Sequence, residues 1–299
     1  MDGLVVGSFP EWPEVSAIVE AAGAVLAWDV LSDDAVPAAR IHDPDRAADW
    51  LWEIYGPAAD GILGHATEVT VTGDSPVRDA CRVLARLNWV EAWWPASATA
   101  GISAVDPVVL LEERVTAVST VEHLLDDPDA EERAQSAVAT PVRSGYALAA
   151  GTVSSAATTV LTGSSAVDWT LVPAGVVDAA APADWAVLRR DGTTVLEVSV
   201  APGPRPESPL SARFADLEVP LDVPLDTVDG LGRRTGSTPV PATVLLLPPD
   251  RRTVTVYAPG FAEPAAPAPG AEDRRAAIIA HARARIGAPD ATRTERTAR

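Results

Sequence analysis

Arginine and tryptophan side chains recur at helical spacing in one stretch of the chain, and together they could bind a partner protein. The stripe that they form consists of Arg82, Arg86, Trp89 and Trp93. Residues three and four apart lie on one face of a helix, and tryptophan and arginine are strongly enriched at the energetic centres of protein interfaces. The sequence therefore predicts a partner-binding site here. The alternative is that the tryptophans are core residues with the arginines lying over them, because tryptophan is usually largely buried.

A second candidate site is a glycine-rich segment, 230–237, in which Arg233 and Arg234 stand among three glycines. Backbone N–H groups of such a turn, together with arginine, can hold a phosphate or another anion. Because no helix follows, the alternative is a flexible hairpin loop. Arginine doublets recur at 189–190 and 251–252, each in or beside a predicted turn. We expect that the three doublets do not share one end of a sheet.

Ser75 is a candidate nucleophile, since the tripeptide Gly73-Asp74-Ser75 follows a predicted strand. These three residues resemble the opening block of GDS-type esterases, and the resemblance implies a small serine hydrolase that uses Ser75. Such enzymes pair the serine with a histidine in an Asp-x-x-His unit, whereas Ile278 stands at that offset from His281. A helix N-cap explains Ser75 without chemistry.

The sequence lacks the residues that several other catalytic and metal-binding chemistries need. All 23 basic residues are arginine, which excludes a P-loop lysine and a lysine Schiff base. The single cysteine, Cys81, excludes a cysteine-rich zinc site, and its apolar surroundings indicate a small core residue. The histidines do not fall at zinc-motif spacing; they are His42, His65, His123 and His281. We therefore predict no metal site, no cofactor and no catalytic residue outside the Ser75 alternative.

The charge of the chain is unevenly distributed. The net charge is −19 over 299 residues; residues 1–150 hold 8 arginines against 25 acids, and residues 151–299 hold 15 against 17. The acidic first half should repel nucleic acids and anionic membranes, so we expect neither as a partner. A lysine-free composition rich in alanine, proline, glycine and arginine is typical of GC-rich bacterial genomes. No signal-peptide pattern opens the sequence, and we expect a cytoplasmic protein.

The candidate stripe lies on a strongly predicted helix. Ser75 is a favourable N-cap, Pro76 suits the first helical position, and Pro95 ends the helix. The same pattern of an N-cap residue followed by proline recurs at 43–44, 106–107 and 127–128, before helix-compatible runs. Hydrophobic periodicity further predicts a helix at 14–22, strands at 4–8, 24–30 and 68–72, and a loop at 33–41.

Strand signals dominate after residue 150. Asp191-Gly192 is a favoured two-residue hairpin turn between the predicted strands 185–190 and 193–200. Further strands are predicted at 168–173, 210–217, 244–247 and 253–257, the last two as a hairpin. Short antiparallel strands at this spacing are typical of a sandwich or barrel. A linker rich in proline and alanine, a basic helix at 272–286 and a disordered tail follow.

These patterns predict an α+β protein with a helix-rich N-terminal module, an antiparallel β-sandwich or barrel-like C-terminal module, and a C-terminal helix. The expected domains are an acidic helix-rich module at 1–150, an antiparallel β module at 151–262, and linker, basic helix and tail at 263–299. Because catalytic equipment is missing, the predicted function is a non-catalytic adaptor or accessory subunit of a bacterial multi-protein system that binds another protein. The alternatives are a small GDS-like serine hydrolase and a sensor that binds an anionic ligand through arginine-rich loops.

Overall fold

The computed structural model describes residues 3–125, 158–214 and 221–299. The chain divides into two compact units. The first consists of Met1–Trp94, Val105–Pro141 and Ala280–Arg299, and the second of Pro95–Ala104 and Val142–Ile279. Helices and antiparallel sheets are both present, with helices prominent in the N-terminal part and sheets in the C-terminal part, so the predicted α+β class is confirmed.

A four-stranded antiparallel sheet lies in the first unit. Its strands are β1 (Leu4–Val6), β2 (Ser16–Ala21), β3 (Ala24–Asp29) and β4 (Ala38–Ile41), in the order β1-β4-β3-β2. The helix predicted at 14–22 is therefore wrong, and the loop predicted at 33–41 is wrong for its last four residues, which form β4. In β2 the buried and accessible side chains alternate with the period of a strand. Gly23, with a φ of 79°, closes the tight turn to β3.

Six described helices belong wholly to the first unit. They are α1 (Pro44–Ala47), α2 (Leu51–Tyr55), α3 (Ala59–Leu63), α4 (Pro76–Trp93), α5 (Pro107–Val121) and α7 (Arg293–Arg296). Asp43, Ser75 and Asp106 each accept a backbone N–H at the start of a helix, which confirms three of the four predicted caps. The fourth, Asp127-Pro128, lies outside the described residues.

Helix α4 packs against β2 and α5. The largest fully buried side chains of this unit include Trp50, Tyr55 and Leu87. The strand predicted at 68–72 is irregular instead. The chain meets the sheet just before that segment, where the Gly7 N–H donates to the Thr67 oxygen, and an alternating pattern without a partner strand does not form a ladder.

Two antiparallel sheets lie in the second unit. The larger one has the order β10-β11-β7-β6-β5 and the smaller one the order β12-β8-β9. The strands are β5 (Thr158–Ser165), β6 (Ala183–Arg190), β7 (Thr193–Val200), β8 (Ser211–Phe214), β9 (Leu221–Pro224), β10 (Thr227–Val228), β11 (Arg234–Pro239) and β12 (Val254–Tyr257). Both sheets contribute to one hydrophobic core, in which Trp185 and Phe214 meet edge to face at 5.5 Å.

The predicted hairpin at Asp191-Gly192 is confirmed, since both residues have positive φ values, 50° and 80°. Two other strand predictions are wrong. The segment predicted at 168–173 contains the short 3₁₀ helix Trp169–Leu171, capped by Asp168, and residues 244–246 of the segment predicted at 244–247 lie in the 3₁₀ helix Ala242–Leu246. Proline explains the second case, because Pro241 and the prolines at 248–249 have no N–H to donate to a ladder. Strand β12 accordingly pairs with β8 rather than in the predicted hairpin.

Helix α6 (Ala271–Gly287) confirms the predicted basic helix. The residues after it do not fit the expected disordered tail. Thr292 and Glu295 form a capping box at the start of α7, and Thr294 and Glu295 are fully buried. Helix α7 has only four residues, too few for hydrophobic periodicity in the sequence to predict it. In the part of the chain that the structure describes, no helix has the length and apolar character to cross a membrane.

Candidate functional site

Helix α4 presents the predicted stripe to two different environments. Arg82, Arg86 and Trp93 are half-buried, whereas Trp89 is only 2 % exposed. The N-cap at Ser75 fixes where the helix begins, and its inward face carries Cys81, Leu84 and Leu87. The arginines therefore lie along the edge of the buried face rather than on the open side of the helix.

Trp89 is held inside the first unit by three contacts. Its indole N–H donates to the Glu14 main-chain oxygen at 2.8 Å. Its ring meets Trp94 edge to face at 6.3 Å and the His281 ring at 6.0 Å. Such edge contacts add to the stabilisation that burial supplies. Trp89 thus packs in the core and anchors α4 there. The accessible part of the stripe consists of Trp93 and the two arginines.

The C-terminal segment supplies an ion-pair network beside α4. Arg285, only 8 % exposed, donates through Nε and Nη2 to the two carboxylate oxygens of the fully buried Glu295, at 3.1 and 2.9 Å. Its Nη1 donates to Asp290 Oδ2 at 2.9 Å. The bidentate geometry makes this a strong charge-assisted pair. Arg285 therefore already has its counter-ions.

Arg86 lies near this network without joining it. Burial lowers the pKa of its guanidinium below the usual value, and the positive charge of Arg285 lowers it further. Among the described residues, neither Arg86 nor Arg82 makes a hydrogen bond or ion pair. Arg86 keeps its proton, since arginine is protonated at any physiological pH. It is therefore a partly desolvated cation, and the carboxylates of Glu295 and Asp290 near it are bound by Arg285.

His281 closes one side of the site. Burial lowers the pKa of its imidazole below 6.5, and Arg86 and Arg285 lower it further, while Glu295 and Asp33 oppose the shift. The ring is therefore neutral at pH 7 and packs on Trp89 as an aromatic surface. The positive charge of the site comes from arginine alone.

The second predicted site, Arg233 and Arg234, is occupied by the protein's own acceptors. Arg234 donates to the main-chain oxygen of Leu225 from both Nε and Nη2, at 3.1 and 2.7 Å, and to that of Pro206 from Nη1 at 3.0 Å. Arg233 donates to Asp184 Oδ2 at 2.6 Å. These guanidinium groups tie the start of β11 to neighbouring segments.

Two of the three arginine doublets lie at different ends of the larger sheet, and the third, at 251–252, lies outside it. Arg189 is paired across the sheet with Thr194 at the start of β7, and Arg234 with Val200 at its end. The expectation that the doublets do not share one end is confirmed. A ligand common to these doublets would have to span the length of the strand.

The Ser75 hydroxyl is hydrogen-bonded to main-chain groups. Its Oγ accepts from the Arg78 N–H at 3.1 Å and donates to the Glu53 main-chain oxygen. No histidine contacts it within the described chain; His123 instead pairs with the Glu53 carboxylate at 3.1 Å. A nucleophilic serine needs a base on its hydroxyl proton, and here that proton is given to a carbonyl.

The cysteine thiol is buried, and the described residues contain no group of side chains suited to a metal ion. Burial raises the pKa of the Cys81 thiol to about 12, with a further contribution from Glu53, so the thiol is not ionised at neutral pH. In the described ranges, no three His, Cys, Asp or Glu side chains are grouped so as to hold a metal ion.

Sequence reasoning missed one polar cluster in the second unit. Asp178, 3 % exposed, accepts from Ser97 Oγ at 2.6 Å and from the N–H groups of Ala180 and Ala181 at 3.0 Å each. Burial alone would raise the pKa of this carboxyl, but these hydrogen bonds hold it below the usual value. The cluster fastens residues 95–104 within the unit. A single aspartate 81 positions from its serine partner leaves no local signal.

No known protein family matches the chain, and neither the curated proteins nor the solved structures contain a significant match.

Proposed function

We propose that the protein is a non-catalytic adaptor or accessory subunit of a bacterial multi-protein system, and that it binds another protein through Arg82, Arg86 and Trp93. One observation carries the proposal. Arg82 and Arg86, both half-buried and one helical turn apart on α4, make no hydrogen bond or ion pair with the described chain. Arginine is usually exposed unless it is paired, so an acceptor from outside would complete this site.

The acceptor that fits best is a carboxylate on the partner. A guanidinium presents planar, paired donors that match the two oxygens of a carboxylate. Hydrogen bonds to charged groups contribute about 1.5–3 kcal/mol each. Because Arg86 is already partly desolvated by the protein, less water must be removed from it when a partner docks. Pre-desolvation of this kind lowers the cost of association.

Trp93 supplies the apolar part of the same contact. It is half-buried and lies on the stripe of Arg82 and Arg86, and its indole N–H makes no hydrogen bond to any described residue. An indole presents a large flat surface with a polar edge, which suits a contact that is dry at its centre and wet at its rim. Arginine and tryptophan together form a compact interface centre.

The surrounding charge restricts the partner. Residues 1–150 carry 8 arginines against 25 acids, so a surface that is acidic throughout would be repelled before it reached the stripe. The partner should therefore present its carboxylate within a neutral or basic surface. The same field disfavours nucleic acids and anionic membranes, which is consistent with a protein partner in the cytoplasm.

Site-specific photocrosslinking in the native host tests the proposal. A photoreactive amino acid replaces Trp93 in one strain and Trp52, which is 58 % exposed on α2, in another. Position 93 should crosslink to one partner that position 52 does not capture. Mass spectrometry then identifies the partner and the peptide attached, which we expect to contain or adjoin an acidic residue.

Purified components decide whether the contact is specific. Calorimetry with the identified partner should show affinity reduced roughly tenfold or more for Arg86→Ala and Trp93→Ala, as for residues at an interface centre. The variant Arg189→Ala removes one exposed arginine elsewhere and should bind like wild type. Equal affinity of Arg86→Ala, Arg82→Ala and wild type would refute the proposed site.

A further inference from the structure

Strand β5 forms one edge of the five-stranded sheet in the second unit. It pairs with β6 on one side, from Thr158–Arg189 to Ser165–Ala183. Its other side makes no backbone hydrogen bond to any segment within the described ranges. Successive residues of a strand point their N–H and C=O groups to opposite sides. Towards the described residues, the outer side of β5 therefore presents a row of donors and acceptors without a main-chain partner.

The side chains of β5 leave this edge open. All eight residues are exposed or half-exposed. Leu161 packs against the hydrophobic core, so Thr162 points to the opposite face, where it is exposed. The sequence TTVLTGSS contains neither a charged residue nor proline, the two residue classes that proteins commonly place on an edge to prevent pairing. One bulge, between Thr159 and Leu161, is the exception.

Three other sheet edges in the described chain are protected. Strand β10, at the far edge of the same sheet, has two residues and lies between Asp226 and Asp229. In the first unit, Asn88 Nδ2 donates to the Ile18 oxygen on the outer side of β2. Strand β1 at the other edge is only three residues long. Against these, β5 presents a longer edge, whose last residue, Ser165, accepts the Val254 N–H of β12 through its hydroxyl.

We propose that β5 pairs antiparallel with β5 of a second copy of this chain, so that the two five-stranded sheets join across a two-fold axis. Main-chain hydrogen bonds along the strands would hold the pair, as in other β-strand additions. In a two-fold interface, residue i of one copy faces residue j of the other and the reverse, so only a residue near the axis meets its own copy. The inference concerns self-association, and it is independent of the partner site on α4.

Charge favours a second copy as the occupant. In a self-pairing strand, any charged side chain near the axis faces a like charge, which is destabilising. Strand β5 has none. The half of the chain that carries it is also nearly neutral, with 15 arginines against 17 acids in residues 151–299, in contrast to 8 against 25 in residues 1–150. Two copies can therefore approach through this edge with little electrostatic repulsion.

A charge-swap experiment on the full chain tests the proposal. Analytical ultracentrifugation over a concentration series should show a reversible monomer–dimer equilibrium for wild type. Thr162→Glu and Thr162→Arg should each weaken dimerisation several-fold, because like charges then face each other near the axis. An equimolar mixture of the two variants should recover dimers, now mixed. The control Val228→Glu places the same charge on β10 and should dimerise like wild type.

Each outcome decides for or against the pairing. Recovery of dimers in the mixture supports the pairing. If the variants failed to dimerise because they were misfolded, mixing them would not restore dimers. A wild type that remains monomeric at its solubility limit overturns the proposal. Hydrogen exchange then tests whether the edge is covered within the monomer. Slow exchange of the β5 amides in that monomer would mean that another part of this chain covers the edge. Dimers unaffected by either Thr162 variant would place the interface elsewhere and also overturn the proposal.

Discussion

The indole N–H of Trp89 donates a hydrogen bond of 2.8 Å to the main-chain oxygen of Glu14, a residue 75 positions earlier in the chain. Glu14 lies two residues before β2, against which α4 packs. The bond therefore fixes the rotation of α4 relative to the sheet. That rotation decides which side of the stripe is buried, and it turns Arg82, Arg86 and Trp93 towards the boundary with solvent.

Replacing Trp89 should test this anchoring role. Trp89→Ala removes a large side chain that is 2 % exposed, and we expect the free energy of unfolding to fall by roughly 3–5 kcal/mol. Trp93→Ala should cost much less, because its side chain is already half-exposed. Urea denaturation followed by circular dichroism measures both. Similar losses for the two variants would show that the stripe is core along its whole length.

The helices around the site were predictable because their signals are local. Three cap-and-proline pairs, at 43–44, 75–76 and 106–107, start helices where the sequence placed them. A cap needs only its own hydrogen bond to the next turn. Strand β2 was missed for the opposite reason. Its residues form a strand because they pair with β3, and the alternation of buried and accessible side chains follows from that pairing. The sequence of the segment alone does not show it.

The residues of the site could be predicted from the sequence, but which of them are buried and which are accessible could not. The spacing of Arg82, Arg86, Trp89 and Trp93 identifies one helix face. Which residues remain accessible depends on Glu14 and His281, which come from distant parts of the chain. The same limit applies to Arg234, whose acceptors are main-chain oxygens at 206 and 225. Long-range contacts leave no local pattern.

The ion pair between Arg285 and Glu295 should contribute strongly to the stability of the first unit. Glu295→Ala leaves a guanidinium that is largely buried without its bidentate partner, and breaking a buried pair in this way costs roughly 3–5 kcal/mol. Thermal and urea unfolding measure the loss. The matched control is Glu112→Ala, which breaks the exposed pair with Arg293 and should cost at most about 1 kcal/mol. Comparable losses in both variants would contradict the distinction between buried and exposed pairs.

His281 should make the stability of the protein fall between pH 7 and pH 5. Burial, Arg86 and Arg285 lower the pKa of its imidazole below the value of 6.5 expected in the unfolded chain, against the opposing charges of Glu295 and Asp33. As the pH falls below 6.5, the unfolded state therefore binds its proton before the folded state does. The free energy of unfolding decreases over this range, because stability rises with pH wherever the unfolded state holds more protons.

Substitution of His281 isolates this contribution. His281→Asn removes the titrating group, so its free energy of unfolding should change less between pH 7 and pH 5 than that of wild type. Urea denaturation at pH 7, 6 and 5 provides the three values for each variant. An identical pH dependence in wild type and His281→Asn would mean that the imidazole is not desolvated by its packing on Trp89, and that the arginines beside it do not act on it.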